Sequence, residues 1–103
     1  MVFYSEQADR DLDDILEGLL SWQKIVLTSD FCHQYIADII DICDALDKKT
    51  LHFNAVYEIH CNYGSKVHSY KRNYNTMWYI IYDVDMFGNV FVNKITNNYL
   101  TIK

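Results

Sequence analysis

The sequence predicts a single α+β domain in which a helical hairpin packs on one face of an antiparallel β-sheet. Apolar residues recur every three to four positions through the first half of the chain, which is the period of an amphipathic helix. After Leu51 the period becomes two, as in strands with one buried face. The turns between the later apolar runs are short, which favours antiparallel neighbours because parallel strands need long crossovers.

Length and composition are those of one folded domain. The chain has 103 residues, of which 50% are hydrophobic, so residues 1–103 can form one domain with its own core. The three cysteines have no CxxC spacing, which is typical of reduced thiols in a cytoplasm. The acidic first twenty residues exclude a secretory signal, and no apolar run reaches the ~20 residues that span a bilayer. We therefore expect a cytoplasmic protein without membrane contact.

The first elements are a short strand and a helix. The apolar run 2–4 predicts the strand, and Ser5 is a good N-cap for the helix that follows. This helix should run for about 16 to 18 residues. Its apolar face is formed by residues at spacings of three and four: Ala8, Leu12, Ile15, Leu16, Leu19 and Trp22.

A second amphipathic helix follows after a few residues, so the two helices should form an antiparallel hairpin. Thr28 or Ser29 can cap its N-terminus, and Lys48 and Lys49 stand where a helix C-terminus favours cations. Its apolar stripe has the same period as that of the first helix: Cys32, Ile36, Ile39, Ile40, Cys43 and Leu46.

The second half of the chain predicts strands joined by polar turns. Residues 51–63 alternate between apolar and polar and indicate a half-buried strand or an extended segment. Three further runs lie at 66–72, 77–84 and 90–96, with turns at 62–65, 73–76 and 85–89. The predicted order of elements is β-α-α-β-β-β(-β).

The charge is unevenly distributed. The net charge is −5 in total, yet residues 1–50 carry 11 acids against 4 bases and residues 51–103 carry 3 acids against 5 bases. The acids of the first half fall on the solvent faces of the predicted helices. The strand half is therefore where a local phosphate site is expected, although bulk acidity predicts weak nonspecific binding to nucleic acid.

The start of the chain resembles a known family. The pattern Ser-x-x-Ala-x-x-Asp-Leu-x-x-Ile follows directly after an apolar strand, in the form Ser5, Ala8, Asp11, Leu12 and Ile15. It resembles the beginning of the RelE/ParE superfamily of bacterial toxins, whose closing strands are similar to the runs 67–72, 78–83 and 90–95. The resemblance covers nearly the whole chain and implies a strand, a helical hairpin and a short antiparallel meander.

The resemblance also implies a function. Such proteins are toxins of type II toxin-antitoxin modules, often described as plasmid stabilisation proteins. The RelE branch is an mRNA interferase that cuts ribosome-bound mRNA, whereas the ParE branch poisons DNA gyrase without enzymatic activity. The expected partners are a cognate antitoxin together with either the ribosome and mRNA or gyrase, and a homodimer is a further candidate state. Tyr70, Tyr74 and Trp78 are the candidate antitoxin contacts. A non-toxic module that only binds its partner is a third alternative.

Metal-free RNA cleavage needs a base, an acid and cations that stabilise the charge developing on phosphate. Lys66, His68, Tyr70 and Arg72 stand at period two and should share one face of a regular strand. His68 is the candidate acid or base, and the candidate phosphate ligands are Lys66, Lys71, Arg72 and Lys94. The candidate catalytic set is His68, Arg72, Lys71 and Tyr99. The alternative is that the face of Lys66 to Arg72 is simply the solvent face of the sheet.

Two features of the sequence differ from the nuclease branch of the family. Nucleases of that branch are basic and carry an arginine and a tyrosine near the C-terminus. This chain is acidic, its two arginines are Arg10 and Arg72, and no arginine accompanies Tyr99. We expect neither a cofactor nor a metal site, because the adjacent pairs Cys32-His33 and His60-Cys61 cannot easily direct both side chains at one ion.

Overall fold

The computed structural model describes residues 1–21 and 28–98, which form an α+β fold with a mixed sheet. The strands are β1 (Val2–Tyr4), β2 (Phe53–Asn54), β3 (Lys66–Lys71), β4 (Met77–Val84) and β5 (Val90–Asn97). The helices are α1 (Glu6–Leu20), α2 (Ser29–Asp44) and the short α3 (Glu58–Cys61), and a 3₁₀ turn (Leu46–Lys48) follows α2. None of the helices in the described ranges is both long enough and apolar enough to cross a membrane.

Both long helices begin at the predicted caps. The Ser5 hydroxyl accepts from the Ala8 N–H at 3.0 Å, and the Thr28 hydroxyl accepts from the Phe31 N–H at 3.1 Å. Helix α1 has 15 residues, and the predicted apolar position Trp22 lies outside the described residues. Helix α2 has no basic residue in its last turn, because it ends at Asp44, and Lys48 and Lys49 lie at the end of the 3₁₀ turn that follows.

The five strands form one sheet in the order β1-β5-β4-β3-β2. Strands β3, β4 and β5 are the predicted antiparallel meander, and the turn before β5 contains Gly88 at a φ of 83°. The expectation of a wholly antiparallel sheet is wrong, because β1 pairs with β5 in parallel. A parallel pair needs a long crossover, and in the described structure helices α1 to α3 and strands β2 to β4 lie between the two partners.

The core lies between the long helices and one face of the sheet. Ile39 and Cys43 of α2 are fully buried, as are Ile80 and Tyr82 of β4. The Trp78 indole N–H donates to the Tyr35 hydroxyl at 2.9 Å, which satisfies both polar groups inside the core. Burial of these apolar side chains is the main force that holds the helices on the sheet.

Of the two alternatives for residues 51–63, the half-buried strand is wrong for most of the segment, and an extended chain is compatible only with the part before α3. Only Phe53 and Asn54 pair with β3, and the chain then forms α3. Three of the alternating apolar side chains lie in solvent, since Leu51 is 63% exposed, Phe53 60% and Tyr57 67%. Because no second layer covers these side chains, their alternation does not report a buried strand face.

Candidate functional site

Strand β3 places alternate side chains on the same face of the sheet as the long helices. Lys66 lies opposite Tyr82, His68 opposite Ile80 and Tyr70 opposite Trp78. These β4 partners belong to the core or pack against it, so β3 directs Lys66, His68 and Tyr70 towards the helix layer. Lys66, His68 and Tyr70 thus share one face of the sheet as predicted. This face is the one that the helices cover and not the solvent face.

Arg72, at the end of that face, is held by the fold. Its guanidinium pairs with the Asp38 carboxylate of α2 at 2.5 Å and donates to the Tyr70 hydroxyl at 3.1 Å. It also lies over the Tyr35 ring, 4.2 Å from the ring centroid. The hydrogen bond from Arg72, followed by one from Gln34, lowers the pKa of Asp38. Arg72 therefore joins β3 to α2 and has little freedom to meet a phosphate.

Lys94 is held in a similar way. Its ammonium lies 2.9 Å from a carboxylate oxygen of the buried Asp11 and 5.3 Å from the centroid of the Tyr63 ring. It is next to the irregularity in the pairing of β4 with β5, where the Ile95 N–H also donates to Asp11. The Lys94 charge is thus compensated inside the fold.

Of the two remaining predicted catalytic positions, one lies on the other face of the sheet and one is outside the described residues. Lys71 is on the sheet face opposite to that of His68, and its ammonium lies 5.7 Å from the centroid of the exposed Tyr74 ring. Tyr99 lies outside the described residues. The structure therefore does not bring Lys71, Arg72 and Lys94 together with His68.

Lys66 and His68 instead meet residues from the segment after the 3₁₀ turn. The Lys49 ammonium lies 3.0 Å from His68 Nδ1, and the Lys66 ammonium donates to the Asn54 side-chain oxygen at 2.6 Å. His52 Nδ1 lies 2.7 Å from the hydroxyl of Tyr82, the residue opposite Lys66. We call this group the basic cluster, and it consists of Lys49, His52, Lys66, His68 and Tyr82.

The contact with Lys49 determines which ring nitrogen of His68 carries the proton. An ammonium group has only donors, so His68 Nδ1 accepts and the neutral ring carries its proton on Nε2. Burial and, next, the Lys49 charge lower the pKa of His68, which favours this neutral form at pH 7. Burial raises the pKa of Tyr82, so its side chain stays a phenol that can donate to His52 or accept from it.

The cations of the basic cluster lack close counter-ions. Across residues 1–21 and 28–98, ion pairs join Met1 to Asp47, Arg72 to Asp38 and Lys94 to Asp11, and none involves Lys49 or Lys66. The Asp83 carboxylate interacts electrostatically with Lys66, but it already accepts hydrogen bonds from the side chains of Ser65 and Asn93. Two ammonium groups and an imidazole N–H, all half-buried, thus form a site that suits an anion.

The predicted antitoxin contacts differ widely in exposure. Tyr74 is 90% exposed, whereas Trp78 is 4% exposed and bonded to Tyr35. Tyr70 is half-buried and accepts from Arg72. Of the three side chains, Tyr74 is therefore the one that offers its whole ring to a partner.

Lys49, His52 and Tyr82 belong to the cluster but were not singled out from the sequence. The sequence pattern assigns Lys49 to a helix end, His52 to a segment predicted as a strand or an extended segment, and Tyr82 to the predicted strand run 77–84. The signal in the sequence is the concentration of Lys48, Lys49 and His52 where the acidic half of the chain meets the basic half. Their meeting with β3 depends on tertiary structure.

The two Cys-His pairs occupy separate environments. Cys32 is buried in the core, while His33 Nδ1 contacts the Ser29 carbonyl at 2.8 Å. His60 is the buried residue of α3, and the exposed Cys61 thiol donates to the Ala55 carbonyl. In the described part of the chain, no group of three or more His, Cys, Asp or Glu side chains could hold a metal ion.

Comparison of the chain with protein-family models, curated proteins and solved structures finds no match.

Proposed function

We propose that the protein is the toxin of a bacterial type II toxin-antitoxin module and cleaves mRNA at the ribosome without a metal. The observation that carries the proposal is the basic cluster, in which Lys49 contacts His68 and neither Lys49 nor Lys66 forms an ion pair among the described residues. The resemblance of the first helix to RelE/ParE toxins supports the same function. The reaction is attack of the RNA 2′-oxygen on the adjacent phosphate, which releases the 5′-oxygen of the next nucleotide.

Each group of the cluster has a role in that reaction. Lys49 and Lys66 stabilise the negative charge that develops on the phosphate. His52 takes the 2′-hydroxyl proton on Nε2 in the tautomer whose Nδ1–H donates to the Tyr82 oxygen. His68 gives its Nε2 proton to the departing 5′-oxygen and receives a proton on Nδ1 from Lys49. His52 thus gains one proton, Lys49 loses one, and His68 stays neutral.

The test is induction of the protein in bacteria followed by mapping of mRNA ends. The wild-type protein should create new cleavage sites in translated mRNA, and Lys49→Met and His68→Ala should each lose most of them. Lys48→Met is the matched control, because Lys48 is an exposed neighbour in the chain whose charge acts on Asp47, which is not a member of the cluster. Absence of new ends with the wild type, or full cleavage by both cluster variants, would refute the nuclease proposal.

The toxin-antitoxin assignment needs a separate test. Co-expression with the neighbouring open reading frame should relieve growth inhibition and yield a complex that co-purifies. If the neighbouring product neither binds nor protects, the module assignment is wrong even when RNA cleavage is observed.

A second candidate is a non-enzymatic inhibitor that acts by binding a protein target such as gyrase. The observation that favours it is the exposed apolar surface of the 51–57 segment, where Leu51 is 63% exposed, Val56 77% and Tyr57 67%. A supercoiling assay with purified protein separates the two functions. Gyrase inhibition that survives in His68→Ala, without mRNA cleavage by the wild type, would favour the second candidate.

A further inference from the structure

Lys49 connects the basic cluster to an exposed aromatic ring. Its ammonium lies 3.0 Å from His68 Nδ1 and also 5.7 Å from the centroid of the Phe53 ring. Phe53 lies on β2, the last strand on that side of the sheet, and is 60% exposed. Phe53 pairs with Val67, so its side chain lies on the sheet face opposite to that of His68, and the ring meets the anion site through Lys49 at the edge of the sheet.

We propose that Phe53 is a stacking platform for a base of single-stranded RNA whose phosphate lies on the basic cluster. This inference rests on the proposed ribonuclease function and adds a binding position for the base. Proteins that hold single strands combine cations along the backbone with aromatic faces on which bases stack. Lys49 contacts both parts, so one nucleotide can meet the ring with its base and the cluster with its phosphate.

Other exposed side chains of the segment lack one of these two features. Tyr57 is exposed, but its ring packs edge-on against His60 at 5.6 Å and contacts none of the lysines of the cluster. Leu51 is exposed but has no aromatic face. Tyr74 has a lysine neighbour, but that lysine is Lys71, which is not a member of the cluster. Within the described residues, Phe53 is thus the ring that the cluster reaches.

The chemistry distinguishes an RNA base from an apolar protein segment on the same ring. A protein segment would be held by apolar area, which leucine largely retains. A base would be held by its π-face, which leucine lacks and tryptophan enlarges. Phe53→Leu and Phe53→Trp therefore give opposite results for RNA and similar results for an apolar peptide.

The experiment measures binding of a labelled 2′-O-methyl RNA hexamer by fluorescence anisotropy with the full chain. The methyl group blocks attack by the 2′-oxygen, so binding is measured without cleavage. Phe53→Leu should weaken binding about tenfold, which corresponds to about 1.4 kcal/mol of stacking. Phe53→Trp should bind as well as the wild type or better, and Tyr57→Leu, the exposed aromatic control, should change affinity less than twofold.

Three results would overturn the inference: no RNA binding by the wild type, equal binding by Phe53→Leu, or the same loss in Tyr57→Leu. These results are distinguishable from failure of the proposed function, because cleavage is measured separately by mapping mRNA ends. If mRNA is cleaved equally well with and without Phe53, the proposed function stands and the stacking platform is refuted. If RNA binding depends on Phe53 but no cleavage is found, the stacking platform stands and the proposed reaction is refuted.

Discussion

The buried Asp11 carboxylate accepts hydrogen bonds at the irregular part of the sheet, where β5 extends beyond β1. Strand β1 pairs with β5 only at residues 90–92, and Ser5 then continues along β5 by hydrogen bonds to Val92 and Asn93. Asp11 follows, and it accepts from the Ile95 N–H and from Lys94, each at 2.9 Å. The first turns of α1 thus satisfy backbone groups of β5 beyond the end of β1.

We predict that Asp11→Ala destabilises the protein by about 2–4 kcal/mol, because it leaves a buried N–H and a lysine without their acceptor. Asp11→Asn should cost about 1–2 kcal/mol, since the amide oxygen can still accept from Ile95. Urea denaturation followed by circular dichroism measures both values. Asp13→Ala on the exposed side of α1 is the control and should change stability by less than about 0.5 kcal/mol. Equal effects at positions 11 and 13 would contradict the role of Asp11.

At the scale of elements, α3 is attached to the sheet by a buried histidine. The His60 side chain packs on the Tyr79 ring at 4.8 Å and on Tyr57 of the preceding turn at 5.6 Å. Its Nδ1 is buried without a hydrogen-bond partner, and burial lowers the pKa of the ring. Neither tyrosine offers a carboxylate to stabilise an imidazolium, so His60 packs as a neutral aromatic side chain.

This burial predicts loss of stability in mild acid. The unfolded chain binds a proton on His60 near pH 6.5, whereas the folded protein does so only at lower pH, so stability falls as the pH drops below about 6.5. The lowered pKa of His68 also makes the protein less stable in mild acid. The contribution of His60 must therefore be measured with a variant that changes His60 alone. His60→Leu should reduce the difference in melting temperature between pH 7.5 and pH 5.5. An unchanged difference would show that His60 is not the titrating group.

Two glycines give a matched pair of predictions for backbone packing. A Cβ at Gly64 would lie 3.0 Å from the Tyr82 carbonyl oxygen and 3.1 Å from an Ile81 methyl carbon, whereas one at Gly18 in α1 would meet nothing within 4 Å. Gly64→Ala should therefore destabilise the protein by about 1–3 kcal/mol, and Gly18→Ala should stabilise it by about 0.5–1 kcal/mol. Thermal unfolding of both variants checks the signs. A neutral Gly64→Ala would contradict close packing of this turn on the sheet.

The two long helices and β4 could be predicted because their local sequence patterns agree with the tertiary structure. Ser5 and Thr28 cap the helices as expected, and β4 has the predicted bounds because a β-prone run is also buried. The 51–63 segment has a strand period, but its apolar side chains have no layer to pack against. The basic cluster could not be predicted either, since Lys49 and His68 are 19 positions apart and their contact depends on how the chain leaves the 3₁₀ turn.

At the scale of the whole molecule, the fold pairs some acids of the helical half with bases of the strand half and leaves the other acids mostly exposed. The acids of α1 and α2 are mostly exposed, while Asp11 and Asp38 pair with the bases Lys94 and Arg72 of the strand half. Pairing removes these two bases from the set that can meet a ligand. Of the predicted phosphate ligands, Lys66 is the one that remains in the cluster, where Lys49 joins it.

This small number of available cations predicts a shallow salt dependence of RNA binding. Each phosphate neutralised on a single strand contributes about −0.7 to the slope of log affinity against log salt, so Lys49 and Lys66 together should give about −1.4. Neutral His68 adds nothing at pH 7 because its pKa is lowered. Lys49→Met and Lys66→Met should each reduce the slope by about half, and Lys48→Met should leave it unchanged. Affinity of the hexamer measured at several salt concentrations tests this directly. A slope several times steeper would mean that RNA follows a longer basic path than the cluster provides, and a slope that Lys49→Met does not alter would place the phosphate elsewhere.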